Sequence, residues 1–307
     1  MKFVVTGGAG FIGSHIVEYL VERGDSVTVI DNLNTGKKEN LQRVLNKINF
    51  VEGDIRDYDL LQGLVKNVNG IFHEAALASV QESFSKTKEY FDVNVNGTEN
   101  IFKLAKIVGA KVVYASSSSV YGNPKVLPIK EDADLNPINP YAQTKLEDEY
   151  LAKKYVVKGV KIIGLRYFNV FGERQSKEYA GVIKLFLEKI ANKEPPLVNG
   201  DGLQTRDFVF VGDVVKANII AMESSIDSGF FNVGTGECIS VLDLAKIMIR
   251  VSGLPLKPIH RQALEGDVRA TQADIAYIKK LSWKPEIKLE NWLEDKISKI
   301  ELKSRTI

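Results

Sequence analysis

The sequence predicts an α/β fold of the Rossmann type: a doubly wound parallel sheet covered by helices on both faces, with a smaller C-terminal lobe. Three observations carry that reading. Short apolar runs recur at residues 3–5, 27–30, 49–51, 70–72, 112–114 and 162–165, each followed by turn residues and a stretch of helical period. A glycine-rich turn, Gly7-Gly8-Ala9-Gly10-Phe11-Ile12-Gly13, joins the first run to an amphipathic stretch at 11–23. An aspartate, Asp31, closes the second run. In such a sheet ligands bind at the carboxyl ends of the strands, where every motif below falls.

Taken in order, Lys2 and the apolar residues after it resemble a signal peptide or anchor in hydropathy alone. The glycines between residues 3–6 and the following amphipathic stretch make strand, tight turn and helix the better reading. No later apolar run approaches membrane-spanning length. Gly7, Gly10 and Gly13, spaced by three, remove side chains where a backbone can approach a pyrophosphate at the positive end of a helix. Asp31 stands where a carboxylate accepts hydrogen bonds from both hydroxyls of an adenosine ribose, and its charge repels a 2′-phosphate. NAD is therefore favoured over NADP, with Lys37 and Lys38 pulling the other way. After the third strand Asp54 has two readings, a partner for the adenine amino group or the cap of a helix at 57–66. The fifth strand ends in a hydroxyl cluster, Ser116 to Ser119. Residues 122–140, with four prolines and several acids, read as a surface connection or the rim of a cleft. Asn139-Pro140 then starts a helix, Asn as cap and Pro at the first position, and sets Tyr141 and Lys145 on one face.

Beyond about residue 166 the rhythm changes. Residues 172–179 read as a polar loop, 181–191 as a helix, and 192–204 as a stretch rich in Pro, Gly and Asn. Helices at 213–222 and 240–250, the second opening on a Ser240/Asp243 capping box, flank a strand at 230–233 that can rejoin the main sheet. The expected division is a dinucleotide-binding domain at 1–166, rejoined by about 207–235, and a mainly substrate-binding lobe at 167–307.

The 307-residue chain is long enough to bury a sizeable core. With 41 Lys+Arg against 39 Asp+Glu and no dense basic window, the composition argues against nucleic acid or an anionic membrane and for a small-molecule partner. Cys238, the one cysteine, points to a reducing compartment, the cytoplasm by default, and has no neighbour in sequence to activate it. His15, His73 and His260 are too scattered for a metal site, so no metal is expected.

The ordered set formed by the glycine turn, Asp31-Asn32-Leu33, Asp54-Ile55-Arg56, Phe72-His73-Glu74-Ala75-Ala76, Ser117 through Gly122, Tyr141-Ala142-Gln143-Thr144-Lys145 and Arg166-Tyr167-Phe168-Asn169 resembles the extended short-chain dehydrogenases over nearly the whole chain. Within them it is most similar to nucleotide-sugar 4-epimerases of the UDP-glucose/UDP-galactose type. The resemblance implies that NAD is contacted by Gly7, Gly10, Phe11, Ile12, Gly13, Asp31, Asn32, Thr35, Gly36, Asp54, Ile55, Ala75, Ala76, Ala78, Asn94, Ser116, Tyr141, Lys145, Tyr167 and Val170. Tyr141 becomes the base for the 4-hydroxyl, Lys145 the holder of the nicotinamide ribose and support of the phenolate, and Ser117 the proton shuttle. Bringing a phenol from a pKa of about 10 to near 7 takes roughly 4 kcal/mol. A cation about 5 Å away at an effective dielectric of 20 supplies about 3, and the positive nicotinamide supplies the remainder.

By the same resemblance a UDP-sugar is held by Ser117, Tyr141, Asn169, Gly181, Val182, Phe186, Arg206, Asp267, Arg269 and Thr271, the two arginines gripping the diphosphate. Leu264-Glu265 stands where relatives often have Arg-Pro. Dehydratases carry an Asp-Glu pair, and decarboxylases a Glu, where this chain has Ser118 and Ser119, which leaves epimerisation. The small Thr271 leaves room for N-acetylated sugars. UDP-glucuronate 4-epimerases, which show a similar serine run, are the same-fold alternative. A non-catalytic NAD-binding regulator is the alternative of another class, disfavoured because Ser117, Tyr141 and Lys145 are all present. A homodimer is implied, through two helices per subunit of which the Tyr141 helix is one.

Overall fold

The short apolar runs line up as seven parallel strands, the central ones buried on both faces: β1 (Lys2–Thr6), β2 (Ser26–Asp31), β3 (Asn49–Glu52), β4 (Gly70–His73), β5 (Lys111–Ser117), β6 (Ile162–Tyr167) and β7 (Ser228–Val233). The computed structural model describes residues 1–175 and 181–304, with side chains through residue 300. Their order in space is β7-β6-β5-β4-β1-β2-β3, so the winding reverses between β1 and β4. The register sets Val5 against Val29 of β2 and Phe72 of β4. The run at 230–233 does rejoin the main sheet, Phe231 pairing with Leu165.

The period of two along β1 divides the core. Val5 faces the layer of α1 (Phe11–Glu22) and α6 (Val211–Glu223), where Ile16, Leu20, Val214 and Ile219 are buried. Val4 faces α2 (Tyr58–Leu64), α3 (Gly97–Val108) and α4 (Pro140–Val156), with Leu61, Ile101, Phe102 and Tyr155. Each such fully buried side chain contributes about 1.5–3 kcal/mol. The C-terminal part has its own core of Phe171, Phe186, Leu244, Met248 and Leu293, closed by α5 (Val182–Ala191), α7 (Val241–Ser252) and α8 (Leu289–Ser304).

Residues 122–140 are neither a simple surface connection nor part of the cavity wall. Ile129 is buried and bridges to Ala273, while Glu131 accepts the backbone N–H of Asn232. Ser240 caps α7 through Asp243 N–H at 3.0 Å, and its own hydroxyl donates to the Asp243 carboxylate. The expected polar loop at 172–179 is described only through Gln175. Among the described residues no helix is long and apolar enough to cross a membrane.

Candidate active site

A cavity of about 600 Å³ runs along the carboxyl ends of the strands, beginning at the β1/β4 reversal. The glycine turn is its floor. Gly7 adopts φ +66°, and a Cβ there would stand 2.6 Å from the Ala75 nitrogen. A Cβ on Gly13 would stand 2.2 Å from the Gly7 carbonyl oxygen. These two glycines therefore let β1, α1 and the Ala75 segment close on one another. Gly10 differs: it lines the cavity, and its Cβ would meet only the Gly7 oxygen, at 3.0 Å.

At the end of β2, Asp31 accepts Ala9 N–H at 2.9 Å and Leu33 N–H at 2.8 Å, one on each carboxylate oxygen. Burial pushes its carboxyl up while these two bonds pull it down. Each oxygen retains acceptor capacity toward the cavity, which suits a ribose diol. Gly36 passes so close that a Cβ would lie 2.7 Å from Asp31 Oδ1. It supports Asp31 without lining the cavity.

Across the cavity, Asn139 caps α4 by accepting Ala142 N–H at 2.8 Å, a bond of about 1 kcal/mol, with Pro140 next in line. The helix so started brings Tyr141 and Lys145 to the cavity opposite Ser116 and Ser117 of β5. Lys145 Nζ donates to the Ala115 carbonyl at 3.0 Å and stands 3.3 Å from Asp148 Oδ2. Ser117 Oγ accepts Ser119 N–H, which leaves its own proton to give. Ser116 donates to Glu149, and Glu149 forms a buried bidentate pair with Arg166 at 2.8 and 2.7 Å. Among the described residues no cluster could hold a metal ion.

Of the residues nominated for NAD, all but Gly36, Asp54 and Asn94 line this cavity. Asp54 is gripped by Arg56, whose hydrogen bonds hold it down to about 2, and by Asn32; the helix cap proves to be Asp57. Asn94 bonds the backbone of Leu77 and the Thr144 hydroxyl, bracing the segment that carries Ala75 to Ala78.

On the substrate side Ser117, Tyr141, Asn169, Gly181 and Val182 line the cavity, whereas Phe186, Arg206, Asp267, Arg269 and Thr271 do not. Phe186 is drawn into the C-terminal core. Arg206 is buried against Asp267, and Arg269 pairs at the surface with Asp201 at 2.9 Å. Both arginines are thus neutralised by carboxylates of the chain itself. Thr271 is buried, its hydroxyl accepting Asp207 N–H, because the Thr205/Ala270 bridge draws that segment inward.

Glu74, Phe168 and Arg174 line the cavity without having been nominated. Phe168 and Glu74 lie inside motifs already recognised, so adjacency was the available signal. Arg174, at φ +68°, reaches Ser14 and Glu18 of α1 from a distant loop, which no local pattern reports. His15 and His73 fill structural places, His73 between Thr6 and Thr98 under the sheet ends.

A cavity over a glycine turn at the reversal of this sheet, faced by a Tyr/Lys helix, defines an enzyme of the extended short-chain dehydrogenase class. The chain belongs to the NAD dependent epimerase/dehydratase family, which it matches over residues 3–234. It is 40% identical over 308 residues to a putative UDP-glucose 4-epimerase of Methanocaldococcus jannaschii, with 99% of each chain covered. It is 35% identical over 266 residues to a UDP-N-acetyl-alpha-D-glucosaminuronate decarboxylase of Bacillus cytotoxicus, covering 84% of this chain and 83% of the other. A solved UDP-N-acetylglucosamine 4-epimerase of Methanobrevibacter ruminantium, in complex with UDP-N-acetylmuramic acid, matches with a TM-score of 0.92. Identity there is 37%, over 99% of this chain and 98% of the other. The cofactor of this chain is NAD, and its class is that of the UDP-sugar epimerases.

Proposed function

We propose that this protein interconverts UDP-hexoses epimeric at C4, UDP-glucose with UDP-galactose and their N-acetylated counterparts. The observation that carries the reading is the placement of Ser118 and Ser119. Neither lines the cavity, and the Ser119 hydroxyl is buried without a hydrogen-bond partner among the described residues. The two positions where elimination across C5 and C6, or loss of a carboxyl, places its acid–base residues in similar enzymes thus hold hydroxyls here and no carboxylate. Glu74 does line the cavity, where burial raises its carboxyl to about 8 and the Tyr167 hydroxyl donates to it. After oxidation at C4 only the return of hydrogen remains, and return to the other face is epimerisation.

In this reading the Gly7–Gly13 turn holds the pyrophosphate and Asp31 the adenosine ribose. Bound NAD supplies a reversible hydride acceptor. Tyr141 removes the 4-hydroxyl proton and later restores it, Ser117 offers its free proton to the sugar oxygen, and Lys145 holds the second ribose and supports the phenolate. Thr271, tied to Asp207, puts no bulk into the cavity, which favours room for an N-acetyl group. Use of the diphosphate arginines requires Arg206 and Arg269 to exchange Asp267 and Asp201 for the ligand. The same reading includes a homodimer, with α3 and α4 presenting the exposed Ile107, Tyr150 and Val157. Sedimentation at micromolar concentration tests it.

Proton NMR of the purified protein with UDP-galactose, UDP-GalNAc and UDP-glucuronate, without added cofactor, tests the reaction. The expected result is UDP-glucose and UDP-GlcNAc from the first two. A pentose or a 4-keto-6-deoxy product overturns epimerisation, and turnover of UDP-glucuronate alone overturns the substrate assignment. Tyr141→Phe should lose most turnover while retaining NAD.

A further inference from the structure

Beneath the proposed Tyr141/Lys145 pair lies a carboxylate that the reading above does not use. Asp148 follows Lys145 by three residues on α4, its Oδ2 3.3 Å from Lys145 Nζ, with the two side chains 0% and 5% exposed. Its second oxygen, Oδ1, is buried and makes no hydrogen bond of ordinary geometry among the described residues, although the Thr98 hydroxyl faces the carboxylate. A carboxylate left half unsatisfied in the core is costly unless a cation or a proton compensates it.

The surroundings leave this role to one group. From β4, His73 faces Lys145 and is pushed down to about 3, first by burial and then by Lys145, so it is neutral. Glu74, on the same strand end, stays protonated at neutral pH. From β5 the Tyr114 phenol faces Asp148 and is held well above its ordinary range by burial. Of the two acids that flank Asp148 on α4, Glu147 accepts from the Gln143 amide, and Glu149 is compensated by Arg166 of β6 and by Ser116. The Thr98 hydroxyl of α3 and Lys145 both favour ionised Asp148, against burial, which dominates and raises it to about 7. Among the described residues Asp148 is thus the counter-ion in contact with Lys145, and burial favours its protonated form while the lysine favours the ionised one.

We propose that Asp148 is a positioning residue that sets the field Lys145 exerts on Tyr141: ionised, it offsets the lysine charge, and protonated, it releases it. The reading of Lys145 as an electrostatic support for the phenolate is then incomplete without its partner. The net field at Tyr141 is that of a Lys/Asp pair whose charge depends on one proton. This rests on the assignment of Tyr141 as the base, but not on which sugar is bound.

The test is Asp148→Asn, which keeps shape and hydrogen bonding but not the charge. In the protein carrying NAD, tyrosinate absorbance near 295 nm is followed against pH without sugar, and kcat is followed against pH with whichever sugar turns over. Both the tyrosinate rise and the acid limb of kcat should move to lower pH by about 0.5–1 unit: removing one charge several ångströms away at intermediate dielectric is worth about one unit, and Asp148 already carries its proton part of the time near pH 7. In a Lys145→Met background, where buried Asp148 has no cation to ionise it, the same substitution should move the tyrosinate rise by less than about 0.3 unit. Asp148→Ser, which leaves room for a water beside Lys145, carries the same expectation should the asparagine variant fail to fold. Wild-type curves for the folded variant, or an equal shift without Lys145, would overturn the proposal. The absorbance titration uses no sugar, so failure of the substrate assignment leaves it readable.

Discussion

Two glycines of the same turn should fail in different ways when each is replaced by alanine. At Gly13 the new Cβ would lie 2.2 Å from the Gly7 carbonyl oxygen and 2.9 Å from Gly8 Cα, backbone atoms that no rotamer change can move aside. That is about 1 Å inside ordinary contact, and overpacking of this kind costs about 1–3 kcal/mol, here at the upper end because α1 and β1 must separate. Alanine returns about 1 kcal/mol through its helix propensity, leaving a net loss of about 2 kcal/mol. For a chain of this size that lowers Tm by roughly 3 °C in cofactor-free protein. Gly10, by contrast, has φ −77° and ψ −174°, backbone open to any residue, and one contact at 3.0 Å that a few tenths of an ångström relieves. Gly10→Ala should therefore melt within about 1 °C of wild type, a change under about 0.5 kcal/mol. It should lose at least about tenfold in NAD affinity, the equivalent of 1.4 kcal/mol, because its methyl enters the cavity. Differential scanning fluorimetry of cofactor-free protein and titration with NAD separate the two. The reasoning fails if Gly13→Ala melts like wild type, or if Gly10→Ala binds NAD as tightly.

Three further outcomes follow from the same geometry. Asp31→Ala removes two charge-assisted bonds to a ribose diol and should weaken NAD by roughly 100-fold, read by calorimetric titration, with wild-type affinity counting against the ribose assignment. Arg166→Leu leaves Glu149 buried without its cation and should cost about 3–5 kcal/mol in denaturant unfolding, while changing Glu149 to Gln together with it should recover much of that loss. Glu74, raised by burial to about 8, binds its proton more tightly folded than unfolded, so its contribution is full below about pH 4.5 and is lost as pH rises through 8. Melting of Glu74→Gln against pH should accordingly fall less than wild type between about pH 5 and 8; parallel curves would show that Glu74 does not titrate there.

The legible parts of the sequence were those whose physics is local. The strand runs, the Asn139-Pro140 helix start and the glycine turn each state their requirement within a few residues, and the strands, the capped helix and the tight turn form there, with Asp31 at the end of β2 lining the cavity. Side chains whose neighbours arrive from far along the chain were not legible. Phe186 has the helical spacing of a wall residue, yet is claimed by a core that includes Leu293 more than a hundred positions away. Arg206 and Arg269 read as free guanidiniums because Asp267 and Asp201 are remote in sequence. Asp54 illustrates both sides: its competition with Asp57 for the α2 cap is local but balanced, and only the grip of Arg56 and Asn32 decides it.

Asp148 marks the deeper version of that limit. Its spacing from Lys145 is plain in the sequence, and on an exposed helix an i,i+3 pair of this kind is a weak surface contact worth a few tenths of a kcal/mol. What changes its meaning is the dielectric around it. Once β4, β5 and α3 close over the pair, the same two groups cease to be solvated ions and become a coupled charge whose state depends on one proton. The chemistry of the lysine is therefore a property of the burial of α4, which is fixed by long-range packing rather than by the four-residue spacing that first drew notice to Tyr141 and Lys145.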